Sequence, residues 1–390
     1  MASSSEAQQS APPASPPAPV TTTGGPSLNE AGGTLTIDLG AIAANYKMLV
    51  GRVVPGECAA VVKGDAYGCG IDQVTAALAR AGCQTFFVAH LAEARHVRAI
   101  ASEAVIYVLN GFASTAAQGF VETYARPVIN SLVELAEWDH FVSSSGWTGE
   151  AALHVDTGMN RLGLSIEEAA AIASHITTDS HHIGLLMSHL ACADKPEHPL
   201  NDQQIRQFRE IRSLFRGVPS SLANSPGIFL DASTYCDLVR PGIALYGGNP
   251  TPGKPNPMQP VIELKSHILQ LRNLPKGATV GYGGVWAAKR DSRIAVVAAG
   301  YADGVMRAAG MSGPRDVLVG DKRCPVIGRV SMDLMAVDVT DLPVSAVRRD
   351  QMVTLIGEGL SLDEVALQAG TISYEVLTNL GRRFHRIWKV

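Results

Sequence analysis

From residue 34 to about residue 261, short apolar runs alternate with stretches whose apolar positions recur every three or four residues. The runs at 59–62, 85–89, 105–109, 151–155, 184–188 and 238–239 predict strands. The periodic stretches at 41–50, 71–81, 91–100, 131–141, 165–176 and 202–215 predict amphipathic helices. Repeated strand–helix units imply an α/β fold with a parallel sheet, and their combined length fits a closed (β/α)8 barrel of the TIM type. An open doubly wound sheet is the alternative. No G-x-G-x-x-G follows the early strands, so a dinucleotide site has little support. Beyond Val261 the texture changes. Runs at 262–271, 293–299, 317–319, 332–339 and 352–356 are short, often alternating, and separated by Gly, Pro and Asp, as in a mostly-β domain with one or two late helices. The proline-rich stretch 249–260 (NPTPGKPNPMQP) marks the boundary. The expected organisation is a tail over 1–33, a barrel over 34–261 and a β-rich domain over 262–390.

Composition changes this picture little. Of 390 residues 46% are apolar and 17% charged, ample for a core, and a net charge of -4 gives no reason to expect a nucleic-acid or membrane-surface partner. No apolar run approaches the roughly 18 residues that span a bilayer. Cys58, Cys69, Cys83, Cys192, Cys236 and Cys324 form no CxxC pair and have no His partners at zinc spacing, so they read as thiols of a reducing compartment, with no metal site. Residues 1–33, rich in Ala, Ser, Pro, Gln and Gly, cannot repay their ordering entropy and read as a disordered tail. That tail lacks the basic start and apolar centre of a secretory signal, and cytoplasm is the default location.

The chemistry concentrates in Ala59-Ala60-Val61-Val62-Lys63-Gly64-Asp65-Ala66-Tyr67-Gly68. Small and branched apolar residues make a doubly buried strand, and Lys63 stands at its end. Apolar packing there lowers an amine pKa from about 10.4 towards neutrality, as a Schiff-base lysine requires; the alternative is a lysine snorkelling to solvent. Other polar interruptions also fall at strand ends, which in a barrel face one mouth. They are Asp156 to Arg161 (DTGMNR) after Val155, Ser188 and His189, Asn224 and Ser225, and Arg240 to Ile243. Ser225 and the Gly242-Ile243 pair suit phosphate binding through backbone N–H groups, and Tyr67 could add a phenol.

AVVKGDAYGCG closely resembles the pyridoxal-phosphate lysine motif of alanine racemases. TLTIDLGAIAANY, HVDTGMNRLG, MSHLACAD, ANSPG, VRPGIALYG, GYGGVW, AAGYADG, GRVSMD and TISYE resemble that family's other motifs, in its order, from Thr34 to Trp388. The resemblance implies a pyridoxal 5′-phosphate barrel joined to a β-domain, a head-to-tail homodimer with sites shared between subunits, and a small amino-acid substrate. It implies interconversion of L- and D-alanine by two bases, supplying D-alanine for peptidoglycan. On this match Lys63 is the Schiff-base lysine and one base, and Tyr282 is the other, acting from the second subunit. Arg240 faces the pyridine nitrogen and His189 links that arginine to the tyrosine. A cation there weakens the ring as an electron sink. Arg161 and the backbone at Met332 hold the substrate carboxylate. Tyr67, Ser225, Gly242, Ile243 and Tyr374 form the phosphate set, beside Asn224. Asp194, Tyr301, Arg307, Arg329, Ile372 and Tyr374 line the corridor into the site.

Two departures stand out. Many members carry, two residues before the DTGM aspartate, a lysine whose carbamylation orients the substrate-binding arginine; here His154 takes that place. Either a bound anion replaces the carbamate, or neighbours position Arg161. Cys69 stands where histidine is common, and Ser331 where some members have cysteine. A broad-specificity racemase for serine or larger amino acids is the enzymatic alternative. A non-catalytic carrier on the same barrel is another, but it needs no Tyr282. A decarboxylase would be expected to pair the pyridine nitrogen with a carboxylate, where this chain offers Arg240.

Overall fold

The computed structural model describes residues 22–176, 181–308 and 315–390. Parallel strands Ala60–Val61, Thr85–Val88, Val105–Val108, Arg126–Ile129, Ala151–His154, Ile183–Met187 and Ser220–Ser221 lie side by side in chain order in one seven-stranded sheet. An eighth, Leu238–Val239, pairs in parallel with Glu57–Cys58, which runs directly into the first strand. It also joins the last strand of the sheet, since Asp237 N–H donates to the Ser220 carbonyl at 2.9 Å and Arg240 N–H to that of Ala223 at 2.9 Å. The barrel is therefore closed, and the open-sheet alternative falls. Two of its strands had no counterpart among the predicted runs. Arg126–Ile129 opens on Arg-Pro, a poor strand signal, and Ser220–Ser221 is only two residues long.

Helices shield this barrel by their apolar stripes. Leu39–Val53 buries Ile42, Tyr46, Leu49 and Val53, one every three or four residues, and begins where Asp38 Oδ1 accepts the Ala41 N–H at 2.7 Å. The helix Ile166–Ala173 starts in a reciprocal cap between Ser165 and Glu168.

The second layer is a nine-stranded, mostly antiparallel sheet built on the long strand Ile262–Leu274, with Ser292–Val297, Asp316–Val319, Lys322–Ile327, Met335–Asp338 and Met352–Ile356. Residues 332–334, expected in a strand, instead make a turn in which Ser331 N–H donates to the Leu334 carbonyl at 2.9 Å. The start of the chain also corrects the expected division. Gly33–Asp38 belongs to this sheet and not to the barrel: Leu35 stands opposite Leu264, and Leu35 and Ile37 are fully buried. Thr22–Gly24, inside the expected tail, pairs antiparallel with His385–Lys389, so the tail does not extend to residue 33; residues 1–21 lie outside the described residues. The described residues thus start in the sheet, build the barrel and return to the sheet. Among the described residues no helix is long and apolar enough to cross a membrane.

Candidate active site

The C-terminal ends of the barrel strands open into a cavity of about 1000 Å³, closed on one side by the short helix Ser373–Asn379. Lys63, Tyr67, Arg161, His189, Asn224, Ser225, Arg240, Gly242, Ile243, Ile372 and Tyr374 line it. Lys63 follows the buried strand and begins a tight turn in which Gly64, Asp65, Ala66 and Tyr67 all have left-handed backbone, with φ between 52° and 65°. For a residue with a Cβ this conformation costs roughly 1–2 kcal/mol each, so surrounding contacts must hold it. Glu93 accepts the Gly64 N–H at 2.6 Å with one oxygen and the Ala89 N–H at 2.8 Å with the other. Burial first, and then the Arg161 charge, lower the Lys63 pKa; Glu93 opposes them and Arg240 adds to them.

Arg240 is 4% exposed, and among the described residues no carboxylate bonds it. Its guanidinium donates to Ser221 Oγ, to the Ser188 carbonyl at 2.5 Å and to His189 Nδ1 at 3.4 Å, and lies 5.8 Å from the Phe87 ring centroid. Burial brings its pKa down to about 10, which leaves it cationic at neutral pH. For His189, burial and then Arg240 push the pKa well below the ordinary value. A neutral ring whose Nδ1 accepts from Arg240 carries its proton on Nε2.

His154 is fixed in the same manner. Asn130 Nδ2 donates to the Val128 carbonyl at 2.7 Å, which turns Oδ1 towards His154 Nδ1 at 2.8 Å. Burial, reinforced by Arg240, brings the His154 pKa down to about 4. The neutral ring therefore donates from Nδ1 to Asn130 and keeps an acceptor lone pair on Nε2. Arg161 lines the same cavity and is close enough for its charge to bear on that ring.

Opposite these groups, Ser225 Oγ accepts from Gly242 N–H at 2.9 Å and Ala244 N–H at 3.2 Å. This shapes the turn into Ile243–Tyr246, whose first N–H groups lack intrahelical partners. A Cβ at Gly242 would lie 2.1 Å from the Tyr67 hydroxyl, so glycine alone admits the phenol there. Tyr67 stacks on Tyr246 at 4.5 Å, and Tyr374 lies 6.0 Å away. The cavity thus offers an amine with lowered pKa, a buried cation and a polar cradle of hydroxyl and backbone N–H groups. That is a donor set for a phosphorylated, carbonyl-bearing aromatic cofactor. Among the described residues no cluster of His, Cys, Asp or Glu could hold a metal.

The remaining expected residues do not line this cavity. Tyr282 is 73% exposed in the turn between Thr279–Val280 and Trp286–Ala287. Arg329 packs beside that turn, within 3.0 Å of a Cβ built at Gly283. Met332, 53% exposed, accepts the Ala302 N–H at 2.9 Å beside Tyr301. Tyr282 and Arg329 thus share one turn region of the β-domain, and Tyr301 and Met332 share another; Arg307 and Asp194 are exposed. Sequence reasoning missed His90, Glu93, Asn110 and Asn130, which also line the cavity. His90 and Asn110 stand just past the strands Thr85–Val88 and Val105–Val108, where the strand-end rule would have found them, whereas Asn130 follows Arg126–Ile129, which had no predicted counterpart.

The family pattern described as "Alanine racemase, N-terminal domain" matches residues 37–250, and that described as "Alanine racemase, C-terminal domain" matches residues 261–388. The chain is 51% identical over 357 residues to an alanine racemase of Methylobacterium sp. (strain 4-46), covering 92% of this chain and 98% of that one. It is 44% identical over 358 residues to a catabolic alanine racemase of Agrobacterium fabrum, covering 91% and 92%. Among solved structures it resembles an alanine racemase from Bartonella henselae with covalently bound pyridoxal phosphate. The TM-score is 0.87 at 37% identity, over 92% of this chain and 99% of that one.

Proposed function

The chain belongs to the alanine racemase family, and from that premise we propose that it interconverts L- and D-alanine with pyridoxal 5′-phosphate at the barrel mouth. The observation that carries this reading is one cavity holding Lys63, the buried Arg240 and the Ser225–Gly242–Ile243 cradle. Ser225, Gly242, Ile243, Tyr67 and Tyr374 would hold the phosphate, with Asn224 beside them, and Arg240 the pyridine nitrogen. When bound, this cofactor withdraws electrons from the substrate nitrogen and so acidifies the α-carbon–hydrogen bond.

The chain's residues do the rest. Arg161 pairs with the substrate carboxylate in the forked geometry that suits guanidinium, and the Met332 backbone of a partner chain completes that grip. His154 and Arg161 line the same cavity, and the neutral ring leaves Nε2 as an acceptor, so either a neighbour of this kind or a bound anion would position Arg161. Lys63, with its lowered pKa, takes and returns the α-proton on one face. On the other face the base is Tyr282 of a second subunit, since this residue is exposed and does not line its own chain's cavity. His189 carries its proton on Nε2, the nitrogen not engaged by Arg240, and is suited to donate to that phenol and favour its phenolate. Asp194, Tyr301, Arg307, Arg329 and Ile372 would border the path into the completed site. The enzyme is thus read as a cytoplasmic homodimer supplying D-alanine for peptidoglycan.

The test is a rate panel on purified enzyme over L- and D-alanine, serine, lysine and arginine, with Lys63→Ala alongside. Alanine should turn over fastest. The variant should lose racemisation together with the visible band that borohydride fixes onto Lys63. Full rate in Lys63→Ala would sink the assignment.

A further inference from the structure

Lys63 sits on a costly piece of backbone, and its support comes from the far end of the chain. The strand His385–Lys389 runs between Thr22–Gly24 on one side and Gly33–Asp38 on the other, which fixes its position. Its alternate residues Arg386 and Trp388 share one face and are 7% and 5% exposed. Both point their donors at the end of the left-handed turn: Arg386 Nη1 donates to the Gly68 carbonyl at 2.6 Å, and Trp388 Nε1 to the Cys69 carbonyl at 2.6 Å. The other hydrogen bonds of the guanidinium go to the carbonyls of Leu380 and Gly381, at 3.2 and 3.4 Å, and among the described residues none goes to a carboxylate. A buried arginine committed to carbonyl oxygens is an expensive way to join two domains that already share apolar surface. The packing is equally tight: a Cβ at Gly70 would lie 2.9 Å from the Trp388 ring, and one at Gly68 would lie 2.4 Å from the Leu377 carbonyl.

We propose that Arg386 and Trp388 are positioning residues for Lys63, clamping from the β-domain the strained turn on which the lysine is mounted. The turn is held at its start by Glu93 on Gly64 and at its end by this pair, so its ends cannot relax to ordinary backbone. Tyr67, whose hydroxyl meets Gly242, rides on the same turn, so one clamp registers the amine against the phosphate cradle. The proposal rests on Lys63 being the acting amine.

The test uses the holoenzyme with Trp388→Phe and Arg386→Met, each removing donors while keeping bulk, and Arg386→Lys as the conservative replacement. Val337→Ala, in the sheet far from the turn, supplies a stability-matched control. Arg161, Glu93, Arg240 and His189, the charged and titratable groups around Lys63, are unchanged in all of them. Hydrogen exchange in the peptide 63–70 should quicken by about tenfold in Trp388→Phe, as expected for one lost buried hydrogen bond. The pH midpoint of the visible band should move, and kcat should fall about tenfold or more with KM nearly constant. Arg386→Lys should recover part of the loss, and Val337→Ala should show none of these changes. If the variants melt earlier yet keep kcat, band midpoint and exchange at wild-type values, the pair is only structural and the proposal is overturned. Retained racemisation in Lys63→Ala would overturn the reading of Lys63 and this proposal together, whereas an inactive Lys63→Ala beside a fully active Trp388→Phe overturns this proposal alone. Trp388→Phe decides by itself should Arg386→Met not fold.

Discussion

If each site draws Lys63 from one subunit and Tyr282 from the other, mixing two crippled chains restores activity. Lys63→Ala removes the lining amine, while Tyr282→Phe removes an exposed phenol that does not line its own chain's cavity. Loss of a general base costs about 10²–10⁴-fold, so each homodimer should sit near background. After subunit exchange at equal concentration about half the dimers are mixed, as follows for a two-fold assembly with random pairing. In a mixed dimer one site carries both lesions and the other carries neither, so the pool should regain about a quarter of wild-type activity. The converse mixture sharpens the test. Wild type combined with a chain carrying both substitutions gives mixed dimers in which each site has one lesion. Only the wild-type dimers then work, again about a quarter. Were the two residues to act within one chain, the first mixture would stay at background and the second would keep about half. Verified heterodimers giving that reversed pattern would refute the shared site.

Two further outcomes follow from the same geometry. His154 is held neutral with its pKa down at about 4, below the roughly 6.5 of an unfolded chain, so the unfolded state takes up the proton first as pH falls. Its contribution is intact above pH 6.5 and is lost towards pH 4, worth at most about 3 kcal/mol, with His189 acting in the same direction. Urea midpoints across that window should fall less steeply for His154→Asn, and identical slopes would contradict the assignment. In Gly242→Ala the new methyl meets the Tyr67 hydroxyl, and a strain of about 1–3 kcal/mol weakens cofactor binding by about ten- to a hundredfold. Cofactor retention on dialysis measures this, and wild-type affinity would mean that the cradle lies elsewhere.

What the sequence disclosed follows from how local each signal is. Strand ends advertise themselves where a buried apolar run stops at a polar residue, as at Val62-Lys63 and Leu186-Met187-Ser188, and those residues do line the mouth or back it. The strand Arg126–Ile129 stayed hidden because its Pro127 is tolerated by tertiary pairing alone, and with it went Asn130, which fixes the tautomer of His154. Gly33–Asp38 alternates as any half-buried strand would, and nothing local says that it joins Ile262–Leu274. The left-handed turn after Lys63 is also illegible. Asp65, Ala66 and Tyr67 have ordinary side chains, and the residues that hydrogen-bond the turn from outside, 93, 386 and 388, are distant in sequence.

The protonation states around the cavity bear on the proposal that inversion draws on two chains. His154 and His189 are neutral and committed through Nδ1 to Asn130 and Arg240. Burial raises the phenol of Tyr67, and it raises that of Tyr374 to about 12, so both stay protonated at the proposed phosphate cradle. Glu93 has both oxygens occupied by backbone N–H groups. Lys63, whose pKa is lowered chiefly by burial, is the proposed base among them. One base fixed on one face exchanges a proton with retention, and inversion requires a second on the opposite face. The buried Arg240, without a carboxylate, makes that second base more necessary. A cation at the pyridine nitrogen would disfavour long storage of charge on the ring, so a proton must be available from the far side as the first one leaves. On that proposal, a racemase built on this barrel has a chemical reason to draw its second base from another subunit, independent of any gain in stability.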